Sequence, residues 1–91
     1  MTRFGLGIFL TAIAFGQSNV QNAIDLNDRG NQASEKNDYA AAARFYRESS
    51  QIWLALGPDY NAHRAGTLMN EATVLCAAGD RTRGTALFEE V

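Results

Sequence analysis

Displaced by 42 residues, the chain falls on itself. Ala23, Leu26, Gly30 and Ala33 land on Ala65, Leu68, Ala72 and Leu75, and both sets keep the 3-4-3 spacing of one helix face. Asn37-Asp38 lands on Gly79-Asp80, a turn pair in each copy, and Ala42, Tyr46 and Ser49 land on Gly84, Phe88 and Val91. A period of this length constrains the fold more than any other feature of the sequence. Each copy is one supersecondary unit that has to bury its apolar side against the next.

Each copy reads as a helix, a tight polar turn and a second helix. The spacing predicts a first helix over about Val20 to Lys36 and a second over Tyr39 to Leu56. In the second, Tyr39, Ala42, Tyr46, Ser49, Trp53 and Leu56 form one inward stripe. Gly57-Pro58 then ends it, because glycine can take the left-handed conformation that closes a helix and proline cannot continue one. A third helix is expected over about Tyr60 to Ala78 and a fourth from Arg81, so the Gly-Pro break is the joint between copies. Glycine inside a helix costs roughly 1 kcal/mol against alanine. Gly30 and Gly84 therefore call for close helix crossings, the first covered by Tyr46 and the second by Phe88, with a local break or kink as the alternative at Gly84.

This pattern resembles the tetratricopeptide repeat, in the long-helix, 42-residue form of kinesin light chains. The resemblance covers about residues 23 to 91. It is carried by GNQASEKNDYAAAARFYRES as the first hairpin, by LGPDYNAHRAGTLMNEATVLCAAGD as joint and next helix, and by RTRGTALFEEV as the incomplete last helix. It departs at Arg29 and Glu71, where the family usually has leucine, at Ala33, which replaces a larger residue, and at Gly84, where alanine is usual. The resemblance implies an all-α fold in which antiparallel helix hairpins stack as a short right-handed solenoid of about two repeats, the second incomplete. Arg29 and Glu71, themselves 42 apart, are expected either as independently solvated charges or as a pair bridging the repeats.

Residues 1–16, MTRFGLGIFLTAIAFG, have a basic start at Arg3, an apolar run from Phe4 to Phe15 and a small-x-small end at Ala14 and Gly16. That is the layout of a secretory signal peptide cleaved between Gly16 and Gln17, leaving residues 17–91 as a secreted or periplasmic domain. An uncleaved anchor or a first buried helix are the alternatives. The apolar run is shorter than the roughly 20 residues a spanning helix needs, and no membrane association is expected after cleavage.

No constellation of residues suited to chemistry stands out. With eight basic and ten acidic side chains the formal charge is −2, which argues against a nucleic-acid surface. Cys76 is the one cysteine, so no internal disulfide can form; it reads as packing or as an intermolecular bridge. His63 has no companion at metal-ligand spacing. It stands 13 residues from Cys76 on one helix, over three turns away, too far for a catalytic dyad. No glycine loop suited to phosphate is found. The reading is of a protein without catalytic residues, metal or cofactor.

What is left is a surface. In a stack of helix pairs the first helix of each pair lines the inner side. Asn27, Asn31 and Ser34 on the first helix and Met69, Asn70 and Thr73 on the third stand on the side away from the apolar stripe. The resemblance implies peptide contacts there, with Asn31 and Asn70 at places where related domains hold a peptide backbone or carboxylate. Asn27 stands where a clamp would need lysine or arginine. The amides also fit a plain polar face.

The fourth helix presents Leu87, Phe88 and Val91 without a solvating cap. The expected remedies are a longer array of which this is a part, end-to-end docking of two copies, or cover by the leader. The functional expectation is a non-catalytic scaffold that binds a protein or peptide. Its alternatives are a self-assembling module, or the docking part of a larger multidomain protein.

Overall fold

The computed structural model describes residues 2–91, with side chains from residue 19 onward. Four helices succeed one another: α1 (Thr2–Glu35), α2 (Tyr39–Leu56), α3 (Asn61–Ala77) and α4 (Arg81–Glu90), with a short 3-10 turn at Pro58–Tyr60 between α2 and α3. Among the described residues there is no strand. Each helix packs on its neighbour in sequence, α1 on α2, α2 on α3 and α3 on α4. The expected bounds hold for α2, α3 and the start of α4, but α1 begins far ahead of Val20. The one proline is Pro58, so no proline stands ahead of Val20 and nothing in the covalent chain stops the helix there. The signal peptide read at residues 1–16 falls among residues whose side chains lie outside the description.

The two hairpin turns are built alike, bond for bond. Asn37 and Gly79 both take positive φ, 61° and 93°. In each case the next residue, an aspartate, donates its N–H back across the helix end, Asp38 to the Ala33 carbonyl at 2.9 Å and Asp80 to that of Leu75 at 2.8 Å. This is the six-residue closure that satisfies orphan carbonyls at a helix C-terminus. The aspartates then cap the next helix with matching dihedrals, φ −87° and ψ 73° at Asp38, φ −89° and ψ 69° at Asp80. Their carboxylates accept from the N–H of Ala41 and Arg83, at 3.3 and 3.2 Å. The period in the sequence is thus a period in backbone geometry.

At the joint, Gly57 takes φ 110° and its N–H donates to the Leu54 carbonyl at 3.2 Å. Pro58 sits in the first turn of the 3-10 segment, where its missing N–H costs nothing.

The core lies where α2 is held between α1 and α3. Ala42, Tyr46 and Val74 form its centre, with Ala33, Tyr39 and Ala43 around it. Of the α2 stripe, Ala42, Tyr46, Ser49 and Trp53 are buried. The Ser49 hydroxyl, fully buried, donates to the Ala23 carbonyl at 2.7 Å and so ties α2 to α1. A Cβ on Gly30 would lie 2.5 Å from Tyr46 Cε1, and one on Gly84 2.5 Å from Cys76 Sγ and 2.9 Å from the Ala72 carbonyl oxygen. Both glycines are therefore sites of close approach.

Two expectations fail. Phe88 does not seal the α3–α4 crossing as Tyr46 seals that of α1 and α2: it is 46% exposed against 3%. Tyr46 is on a helix packed on both sides, whereas among the described residues α4 packs chiefly on α3. Glu71 neither pairs with Arg29 nor stands in solvent. Its side chain is 2% exposed and its Oε2 accepts from Arg47, 3.0 Å from one terminal nitrogen and 3.1 Å from Nε. The reason is direction: its place on α3 faces α2, from which the Arg47 guanidinium meets it.

Candidate functional site

The space between α1 and α3 is organised by the joint. Because Gly57-Pro58 turns the chain sharply, Tyr60 and His63 are brought back over Trp53 near the end of α2. The Trp53 and His63 rings stack with centroids 4.7 Å apart and planes 21° from parallel, and Tyr60 stacks on Trp53 at 5.5 Å and 19°. Tyr60 and His63 are themselves 6.2 Å apart, too close to flank the indole from opposite sides. Such offset pairs contribute about 0.5–1.5 kcal/mol beyond area burial, enough to fix the start of α3 against α2.

Beside this cluster, between α1 and α3, is an open concavity of about 350 Å³. Its polar wall is an amide pair: Asn70 Nδ2 donates to Asn27 Oδ1 at 3.3 Å. The rest of the lining comes from Ile24, Trp53, Ala62, His63, Gly66 and Thr67. Ile24 is 41% exposed although it is a large aliphatic side chain. The Asn27–Asn70 bond is long, and each amide keeps further donor and acceptor positions. The pair can therefore meet a backbone amide and carbonyl while the aliphatic and aromatic groups take apolar atoms.

Of the six residues read from the sequence, Asn27 and Asn70 come together and line the concavity. Asn31, Ser34, Met69 and Thr73 do not line it. The Asn31 amide oxygen accepts from the Tyr46 hydroxyl at 2.6 Å, so it orients a core ring. The Thr73 hydroxyl donates within its own helix to the Met69 carbonyl at 2.8 Å, and Met69 stands 48% exposed. Ser34 is half-buried. Trp53 and His63 were legible only as a core residue and a solitary imidazole. The available signal was their position on either side of the Gly-Pro joint, which has to fold them together.

The bond from Tyr46 to Asn31 also bears on the charge state of the core. Burial, and after it the negative charge of Glu35, push the Tyr46 phenol above its ordinary value of 10.0. It is a neutral donor over the physiological range. Among the described residues, no three His, Cys, Asp or Glu side chains are grouped as metal ligands, and no helix is long and apolar enough to cross a membrane.

No family model, curated protein or solved structure matches the chain.

Proposed function

We propose that the chain is a non-catalytic binding scaffold, a short solenoid of tetratricopeptide type, that holds an extended segment of a partner protein in the concavity between α1 and α3. The observation that carries this reading is the Asn27–Asn70 amide pair set beside the Trp53–His63 stack. An extended peptide offers alternating N–H and C=O groups, which amides match in both directions, and side chains that suit an apolar wall. The leader motif supports a partner met outside the cytoplasm.

Trp53 is the one tryptophan, so its fluorescence reports on the site without a label. An array of unrelated extended peptides probed with the full chain should yield binders that change Trp53 emission. Replacing Asn27 and Asn70 together by alanine should weaken those binders by roughly tenfold or more while leaving helicity intact. Undiminished binding by the doubly substituted protein would end this reading.

A second reading, self-association through α4, is favoured by one observation: Phe88 and Val91 are 46% and 49% exposed, with Leu87 partly buried beside them. Sedimentation that is independent of concentration over the micromolar to millimolar range would exclude it.

A further inference from the structure

A second indentation, of about 360 Å³, shares no residue with the first and lies between α2 and the α3–α4 turn. Three guanidiniums line it: Arg44 and Arg47 from consecutive turns of α2, and Arg83 from the first turn of α4. They are unequally engaged. Arg47 is held by Glu71, and Arg83 reaches Asp80 only at 3.7 Å. Arg44 makes no ion pair with any described residue. Between them is an apolar floor of Ala43, Leu75 and Ala78, with Tyr39 at the side.

An acidic chain of formal charge −2 thus has a cationic hollow on one side. We propose that this hollow binds an acidic peptide segment, one carboxylate lying between Arg44 and Arg83 and an adjacent aliphatic side chain resting on the Ala43–Leu75–Ala78 floor. Guanidinium presents paired N–H donors in a planar fork that fits a carboxylate in two parallel bonds. Charge balance selects the ligand. Glu71 and Asp80 also line the hollow, so three cations face two anions and a single positive charge is left over. That matches one carboxylate. A doubly charged phosphate, or the repeated phosphates of a nucleic acid, would overfill the site and be repelled by the two resident carboxylates. The apolar floor adds the second requirement, a hydrocarbon side chain next to the acid, which a bare inorganic anion lacks.

The test uses the full chain, isotopically labelled, titrated with a blocked leucine-glutamate-leucine tripeptide, its glutamine counterpart and inorganic phosphate, with backbone amide and arginine Nε–H signals monitored by NMR. The glutamate peptide should give saturable shifts at Arg44, Arg83, Ala43 and Ala78. Its affinity should drop roughly tenfold for the glutamine peptide and for R44Q, and should fall as salt is raised. Arg44 is exposed, so R44Q should leave the amide spectrum otherwise unchanged. Absence of saturable shifts at these residues, equal affinity for the glutamine peptide, or phosphate binding as tight as that of the glutamate peptide would each overturn the assignment. Substituting Asn27 and Asn70 should leave this binding untouched; a parallel loss would place the peptide in the concavity between α1 and α3 instead.

Discussion

The ring of Tyr46 occupies the space that a side chain at Gly30 would need: a methyl carbon there would stand 2.5 Å from Cε1 and 2.6 Å from Cδ1. The ring cannot easily retreat, since it is 3% exposed and its hydroxyl is bound to Asn31. Helix crossing, aromatic cover and hydrogen bond are thus one arrangement, and it fixes α1 against α2.

Gly30→Ala should therefore destabilise the protein although alanine is the better helix former. Overpacking costs about 1–3 kcal/mol, against roughly 1 kcal/mol gained in propensity. Gly66, also within a helix, has nothing within 4 Å of its would-be Cβ, so Gly66→Ala should stabilise by up to about 1 kcal/mol. Thermal melts of the two variants should move in opposite directions; a shift of the same sign in both would contradict the close crossing.

The Arg47–Glu71 pair should respond asymmetrically. Arg47→Leu strands a carboxylate whose side chain is 2% exposed, while Arg47 itself is 47% exposed and would be hydrated if left alone. Breaking a buried pair costs about 3–5 kcal/mol. With about half of the Arg47 side chain already in water, about 2–3 kcal/mol is expected here. Glu71→Leu should be near neutral or stabilising. Urea denaturation of both variants measures this, and equal losses would show that the pair acts as a symmetric bridge.

Asp38→Ala and Asp80→Ala should each cost about 1 kcal/mol by removing an N-cap. The two caps share no hydrogen-bond partner, so the double variant should lose the sum to within about 0.5 kcal/mol. A double-mutant cycle in denaturant checks additivity, and with it the independence of the two turns.

Stability should decline in alkali through Tyr46. Its folded-state value is raised, so above the ordinary value of 10.0 the unfolded chain gives up its proton first, and the folded state loses ground as pH rises through the folded value. Below the ordinary value the full stabilisation is present. Tyr46→Phe should cost about 0.5–1.5 kcal/mol at neutral pH through the lost Asn31 bond and should flatten the alkaline decline. An unchanged alkaline profile would assign the decline to other groups.

Much of this architecture is legible in the chain itself. The bounds of α2 and α3 and the paired turns come from local rules that act on a few neighbouring residues, while Gly30 and Gly84 show through as helix-interior glycines whose cost only a close crossing offsets. The candidate site was legible only in part. Asn27 and Asn70 share a wall, yet Asn31 was drawn off by Tyr46, 15 residues away. Thr73 turned back on its own helix. A polar residue on the expected side still has a choice of partners, and helical spacing says nothing about which one wins.

The order of the helices, the bounds of α2 and α3 and the start of α4 were written in the sequence, because helix propensity, capping and the left-handed turn residues are settled within one or two turns of chain. Only packing decided that Glu71 would meet Arg47, that Trp53, Tyr60 and His63 would gather at the joint, and that Arg44 and Arg83 would share a hollow. Those pairings depend on the crossing of whole helices. A crossing is set by summed contact over many side chains, so no single stretch of sequence contains it.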